Sequence, residues 1–164
     1  MENPVLVENI INTWRVHNNI NLILLQAISK KGLDVLPPGS KTRNIGRVFV
    51  HMYGVRINWL KLNSPELAKG FRKFPKDKIP SKAELRKAFI SSGNAVEKLL
   101  EQALNGEKTI KMFGKNPVRW MGYLISHESH HRGQIVLTLR ECGMRLPEQI
   151  VGTGLWGRWA FGEE

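Results

Sequence analysis

The chain has 164 residues, of which 41% are hydrophobic, and it carries a formal net charge of +11 at pH 7. This size and composition fit one compact domain, so we expect residues 1–164 to form a single domain. The sequence contains no apolar run long enough to span a bilayer, and its first residues, MENPVLVEN, include acid where a secretory signal carries base. Its lone cysteine, Cys142, excludes an internal disulfide. These features predict a cytoplasmic protein without a membrane partner.

The positive charge is typical of proteins that bind nucleic acid, because Lys and Arg neutralise phosphates. However, the densest basic run, FRKFPKDKIPSK at residues 71–82, is interrupted by prolines, and the sequence has no zinc finger or ribonucleoprotein motif. We therefore interpret the charge as a solvated basic face that can concentrate an anionic small substrate. A basic helical module that binds nucleic acid or an acidic protein, without catalysis, stays open as the alternative function.

Hydrophobic periodicity predicts four long helices. The first covers about residues 4–30, and the second covers about residues 42–62, where an Asn-Ser-Pro break follows. Along the second helix, we expect Val48, Met52 and Val55 to face the core. Both helices are longer than five turns, which suits a helical bundle.

Capping signals mark the other two helices. The third opens with a capping box formed by Ser81 and Glu84 and stops near Gly106. The fourth has Asn116 as its N-cap, a proline at its first position and a glycine stop at Gly143. The sequence therefore predicts an all-α fold, a four-helix bundle.

The connections and the tail add detail to this fold. The connection at residues 63–80 is long enough to permit a crossover between helices. A short extended piece is predicted around residues 109–112. The segment at residues 147–164 is rich in large aromatic side chains, so we expect this C-terminal tail to pack over the bundle or to form part of a dimer contact.

Three histidines form the candidate site. His127 and His131 are four residues apart in the fourth helix, so their imidazoles project from the same face, one turn apart. His51 lies near the middle of the second helix, on its apolar stripe. Three inward nitrogen ligands from two helices suit a catalytic metal, because they leave coordination positions open. His130 points off the stripe and is assigned to the surroundings of the site.

Other interpretations of these residues remain open. An inward histidine such as His51 often bonds a backbone carbonyl in a core rather than a metal. Residues 127–131 also spell HExxH, which in a zinc peptidase makes Glu128 the general base. The chain offers no histidine downstream of His131 to complete that motif, so we disfavour a peptidase.

The first helix carries polar residues on an apolar face. Its stripe reaches Trp14 and then meets His17, Asn18 and Asn21 before apolar character returns. We predict that these four residues line a substrate pocket above the metal. A solvated groove or a set of hydrogen bonds between helices would explain the same pattern.

Two segments carry a family resemblance. The sequences NIGRVFVHMYGVRINWL, at residues 44–60, and HESHHRGQI, at residues 127–135, resemble motifs of the DinB/YfiT-like superfamily of metal-dependent enzymes. The PPG turn before the second helix and the terminal LWGRW are similar as well. One residue departs from the family pattern: Arg56 stands where many relatives carry an acidic residue.

This resemblance implies an up-down-down-up, DinB-like bundle that forms homodimers, with His51, His127 and His131 as ligands of a divalent ion. Zinc is the expected ion, with nickel and iron as alternatives. Characterised relatives depend on thiols, so the implied activity is that of a metal-dependent thiol S-transferase or a hydrolase with a small-molecule substrate. Glu128 and Gln134 are our candidates for catalytic groups that support the ligands.

Overall fold

The structure is a computed structural model that describes residues 3–41, 43–76 and 78–162. Within these ranges the regular structure is entirely helical, which confirms the all-α prediction. The predicted extended piece around residues 109–112 is not a strand. In chain order the elements are α1 (Pro4–Ala27), α2 (Lys30–Leu33), α3 (Ile45–Asn63), α4 (Lys82–Leu104), a 3₁₀ turn (Phe113–Lys115), α5 (Pro117–Glu141), a π-helical segment (Ile150–Gly157) and α6 (Arg158–Phe161).

The helix starts follow their capping residues. Ser81 and Glu84 form the predicted capping box of α4, each side chain bonding the other residue's backbone N–H. The side chain of Asn116 accepts a hydrogen bond from the backbone N–H of Arg119, as the predicted N-cap of α5. Thr42, the predicted start of the second long helix, lies outside the described residues, and α3 begins at Ile45 with Asn44 as its cap.

The end of the first helix differs from the prediction. α1 stops at Ala27 rather than continuing to residue 30. Ser29 then adopts an extended backbone conformation, and its hydroxyl accepts a hydrogen bond from the backbone N–H of Gly32. A serine that caps the next turn competes with continuation of the preceding helix. The short α2 is the result.

Side-chain contacts give the relative directions of the long helices. Trp14 of α1 bonds the carbonyl of Gly93 in α4, and the carbonyl of Gln26 accepts from Lys82 at the other end of the pair. Because the higher numbers of α1 meet the lower numbers of α4, these two helices run antiparallel.

The helix that carries two of the histidines, α5, contacts both α1 and α3. His51 of α3 lies against His131, whereas Trp59 lies against Tyr123, so α3 and α5 are antiparallel. His17 of α1 contacts Glu128 in α5, and the guanidinium of Arg132, one turn further on, bonds Asn21. Therefore α1 and α5 are parallel.

The buried face of α3 is rotated relative to the predicted stripe. Met52 is fully buried as expected, but Val48 and Val55 are only partly buried. The fully buried positions next to Met52 are instead Phe49 and Arg56. This rotation places His51 at the edge of the core, where its imidazole is partly buried.

The C-terminal segment packs against the bundle through part of its length. Its π-helical turn contacts α1, and Leu155 is buried there. Trp156 and Phe161 remain exposed, by 71% and 83% of their surfaces. Among the described helices, none combines the length and the apolar character that crossing a membrane requires.

Candidate metal centre

Three histidine side chains converge between α3 and α5. His51 comes from the middle of α3, and His127 and His131 come from successive turns of α5. The Nε2 atom of His127 lies 3.2 Å from Nε2 of His51 and 3.2 Å from Nε2 of His131. One ligand atom from each residue lies within 4.8 Å of the others. Within the described parts of the chain, this is the group of side chains that could hold a metal ion.

The spacing of these nitrogens fits a divalent ion. Zn–N bonds of 2.0–2.1 Å at a tetrahedral centre place two nitrogens roughly 3.3 Å apart. The two separations from Nε2 of His127, 3.2 Å each, match this value. A hydrogen bond between two of the imidazoles satisfies at most a pair of these nitrogens, whereas one cation offers a partner to all three. The donor set therefore fits a metal.

The imidazoles are neutral near pH 7, which ligation requires. Burial lowers the pKa of His51 to about 4, and the nearby Arg43 charge contributes to the same shift. Burial also lowers the pKa values of His127 and His131. Each ring thus has a lone pair available on one nitrogen.

Gln134 fixes which nitrogen of His131 carries the proton. Its Oε1 lies 2.8 Å from Nδ1 of His131, so Nδ1 is the donor and Nε2 keeps the lone pair that points toward the other histidines. The amide of Gln134 also donates to Nε2 of His130 over 2.9 Å. His130 is exposed and lies outside the three-histidine cluster, where the sequence predicted it.

An aromatic contact holds the ring of His127. Tyr123 stacks on it with an interplanar angle of 19° and a centroid distance of 5.9 Å. Trp59 of α3 contacts Tyr123 in turn. Nδ1 of His127 is buried and has no hydrogen-bond partner among the described residues. On the side of Nδ1, packing rather than a hydrogen bond therefore orients this imidazole.

A cavity of about 560 Å³ borders the cluster on the side of His131. Gln134 lines it next to His131, and Arg43 contributes a positive charge. Its volume lies in the range of small-molecule sites. Its remaining lining residues are Pro37, Ile45, Val48, Ile135, Leu137, Thr138 and Glu141.

The residues that we predicted for the substrate pocket lie elsewhere. Trp14, His17 and Asn21 are fully buried, and Asn18 is partly buried. None of the four lines the cavity beside His131. They surround a polar network between α1, α3 and α5, which corresponds to the alternative of hydrogen bonds between helices.

Glu128 is the centre of this network. Its Oε1 accepts a hydrogen bond from Nε of Arg56 (2.6 Å), and its Oε2 accepts from Nη2 of Arg56 (2.7 Å) and from Asn21 (2.7 Å). Nη1 of Arg56 donates to Oδ1 of Asn18 over 2.7 Å. Both side chains of the Arg56–Glu128 pair are completely buried. This two-bond geometry is the arrangement in which a guanidinium binds a carboxylate most strongly.

The protonation states follow from burial and contact. Burial favours the protonated form of Glu128, but the charge and hydrogen bonds of Arg56 outweigh it and hold the pKa of this carboxyl below its ordinary value. Burial lowers the pKa of His17 to about 4, against the opposing hydrogen bond to Glu128. His17 is therefore neutral at pH 7: its Nε2 donates to Glu128, and its Nδ1 accepts from Arg132.

This arrangement bears on the HExxH interpretation. The peptidase hypothesis requires Glu128 to reach a water beside the metal, but both of its oxygens are bound to Arg56 and its side chain has no exposed surface. Glu128 therefore binds Arg56, Asn21 and His17 in the core. Gln134, by contrast, contacts a histidine of the cluster directly.

The sequence singled out Arg56 only as a departure from the family pattern, and its pairing with Glu128 was not predicted. Arg56 follows Met52 by four positions, so it shares the buried face of α3, and Glu128 follows the buried Leu124 in the same way on α5. Opposite charges on the core faces of two helices are a signal that could have predicted the pair.

A comparison with known proteins identifies the family of this chain. A model of the DinB family matches residues 1–152. A comparison with curated proteins found no significant match. The matched range includes all three histidines and most of the chain, which therefore belongs to the DinB family.

Proposed function

We propose that this protein is a metal-dependent enzyme whose divalent cation is held by His51, His127 and His131. The observation that carries the proposal is the convergence of three neutral imidazoles beside a cavity of about 560 Å³: Nε2 of His127 lies 3.2 Å from Nε2 of each of the other two, and one ligand atom from each residue lies within 4.8 Å of the others. We propose zinc as the ion, with nickel and iron as alternatives, since imidazole ligands suit all three.

In this proposal the metal ion activates the nucleophile, and the side chains of the protein orient the ligands of the ion. A divalent cation in such a site supplies a Lewis acid that makes a thiol or a water molecule a stronger nucleophile near neutral pH. Gln134 holds His131 in the tautomer that presents Nε2, and Tyr123 holds the plane of His127.

We propose a small thiol as the co-substrate. In the proposed reaction its sulfur loses the proton and forms a bond to an electrophilic carbon of the second substrate, while the bond from that carbon to a leaving group or to an epoxide oxygen breaks. Hydrolysis is the other candidate. Arg43 places a positive charge on the wall of this cavity that can attract an anionic part of the substrate, and Glu141 places a negative charge on the same wall. The directions of the helix pairs support the up-down-down-up order for the four long helices. The homodimer and the single domain over residues 1–164 stay predictions.

Metal titration of the purified, chelator-treated protein tests the site. Calorimetry with Zn²⁺, Ni²⁺ and Fe²⁺ measures affinity and stoichiometry for the wild type, His51→Ala and His130→Ala. We expect one ion per chain, a large loss of affinity in His51→Ala and no loss in His130→Ala, since His130 lies on the same surface but outside the cluster. Equal affinity of the wild type and His51→Ala would remove His51 from the site.

Activity needs a second measurement. Metal-loaded protein is mixed with low-molecular-weight thiols and with alkyl or epoxide electrophiles, and the loss of free thiol is followed. We expect turnover that depends on the metal and disappears in His51→Ala. If the protein binds metal without any turnover, the metal site stands and the enzyme proposal fails.

A further inference from the structure

A second pocket lies on another face of α5. It has a volume of about 530 Å³ and is formed between α5 and the C-terminal segment. Ile125, Ser129, Gly133 and Val136 contribute from α5 at intervals of three or four residues, and Leu155 and Trp156 contribute from the π-helical segment. None of the three clustered histidines lines this pocket. It is therefore separate from the proposed catalytic centre.

A nearly buried arginine, Arg132, forms part of its wall. Arg132 lines the pocket but is only 8% exposed. Its hydrogen bonds go to the Oδ1 atom of Asn21, Nδ1 of His17 and the hydroxyl of Ser129, all of which are neutral acceptors. A guanidinium has five N–H donors, so these bonds leave donors for a further acceptor.

No described carboxylate forms an ion pair with Arg132. The charge of Glu128 also attracts Arg132 without direct contact, but Glu128 forms its ion pair with Arg56, whose own charge opposes that attraction, so two buried guanidiniums share one carboxylate. Among the described residues that line the pocket, none is acidic, and Arg140 adds a second positive charge. Buried charges in proteins are normally paired, so a nearly buried cation beside an open pocket indicates a missing anion.

A helical glycine, Gly133, lines the pocket. A Cβ atom added to Gly133 would meet nothing within 4 Å among the described atoms. Packing therefore does not require glycine at this position, and glycine in a helix interior lowers helix stability. What its absent side chain provides is open space in the pocket beside Arg132.

The walls are largely apolar. Ile125, Val136 and Leu155 face the space together with the rings of Trp156 and Trp159, which are 71% and 37% exposed. Such walls suit an aliphatic or aromatic body rather than a sugar or a nucleotide. Together with the two arginines, they describe a site with an apolar body and a cationic end.

We propose that this pocket binds a small amphipathic carboxylate. Its hydrocarbon part lies against the tryptophan and aliphatic walls, and its carboxylate accepts hydrogen bonds from Arg132, with Arg140 adding attraction. The inference is independent of the three-histidine cluster and of its reaction.

The test uses decanoate as the probe and decanol as its neutral match. Calorimetry measures binding to the full chain, and tryptophan fluorescence reports on Trp156 and Trp159. We expect decanoate to bind with one site per chain and decanol to bind at least about tenfold more weakly. Binding should persist in His51→Ala, which separates this result from a failure of the metal site.

Two variants on one helix locate the site. Gly133→Leu fills the pocket and should weaken decanoate binding by about tenfold or more. Gly122→Leu is the matched control, because a Cβ there also meets nothing within 4 Å and Gly122 does not line the pocket. Equal binding of decanoate and decanol, or unchanged binding in Gly133→Leu, would overturn the proposal. Sedimentation tests whether a second copy of the chain occupies the pocket instead. A dimer that dissociates in Gly133→Leu but persists in the presence of decanoate would show this and would overturn the proposal.

Discussion

Two faces of α5 carry neighbouring residues with different roles, one in the three-histidine cluster and one in the buried polar network. His127 and His131 belong to the three-histidine cluster, whereas Glu128 and Arg132, the next residue in each case, belong to the buried polar network. The histidines are neutral, partly buried and adjacent to a cavity. Glu128 is ionised and fully buried against Arg56. A turn of about 100° per residue is enough to separate the two environments.

The comparison teaches what each kind of polar group needs. A metal ligand keeps a lone pair free, so its other contacts must leave one nitrogen unoccupied, as Gln134 does for His131. A buried ion has to be satisfied by its neighbours, because desolvation is otherwise costly. We therefore expect changes in the network to act on stability and changes around the cluster to act on metal affinity.

The largest effect is expected from Glu128→Gln. This substitution leaves the Arg56 guanidinium buried without a carboxylate, and breaking a buried pair in this way costs about 3–5 kcal/mol. Urea denaturation of the metal-free protein measures the free energy of unfolding. A loss of less than about 1 kcal/mol would show that the pair contributes little.

A double variant that removes both charges is the control for this prediction. Arg56→Met combined with Glu128→Leu removes both charges, and apolar replacements of a buried pair are often tolerated. We expect the double variant to be more stable than Glu128→Gln. If the two variants were equally unstable, packing around Glu128 rather than its charge would be responsible.

The next effect is a dependence of stability on pH that comes from His17. Its pKa falls from 6.5 in the unfolded chain to about 4 in the folded protein. A lowered folded-state pKa means that the unfolded chain binds the proton first, so stability is complete above pH 6.5 and falls as the pH drops toward 4. A shift of this size corresponds to about 3 kcal/mol across that window.

Metal-free protein is the sample for this measurement, since bound metal adds its own pH dependence. His51 also has a lowered pKa and contributes to the same window. The difference between the wild type and His17→Gln isolates His17, because glutamine can bond Glu128 but does not titrate. Parallel pH profiles of the two proteins would contradict the assignment.

The sequence predicted the all-helical fold well because its signals are local. The capping box at Ser81 and the cap at Asn116 depend on residues three positions away, and both form as predicted. The three-histidine grouping also forms, because spacing along α5 fixes two of its members. By contrast, the end of α1 was wrong, since the cap at Ser29 competes with a continuous apolar pattern.

The network could not be derived in the same way. Whether His17 meets a cavity or a carboxylate depends on which face of α5 packs against α1, and periodicity within one helix does not contain that information. The spacing of Arg56 from Met52 was a local signal that it shares the core face of α3, but the predicted stripe through Val48 and Val55 lies to one side of that face, whose centre the structure places nearer Phe49. Contacts between helices decide both outcomes.

A smaller effect is expected at the edge of the cluster, from Gln134→Ala. This change removes the acceptor that holds Nδ1–H of His131, and loss of such a support typically lowers metal affinity by about 10–100-fold. Because Gln134 is exposed, the unfolding free energy of the metal-free protein should change little. Competition with a chromogenic chelator measures the affinity.

Gln134→Glu is the matched control because it keeps an acceptor at the same place. We expect it to retain most of the affinity that alanine loses. If the two variants lost affinity equally, the amide would act through His130, to which it also donates, rather than through the tautomer of His131.

The smallest effect concerns the helix that both regions share. Asn116→Ala removes the N-cap of α5 and should cost about 1 kcal/mol of stability, whereas Asn116→Asp keeps the acceptor and should cost little. Asn116 lies more than two turns before His127, so neither variant should change metal affinity in the folded protein. Chemical denaturation and metal titration of the same samples check both statements. A loss of metal affinity in Asn116→Ala would mean that fraying at the start of α5 reaches the histidines, and that stability and metal binding are coupled through this helix.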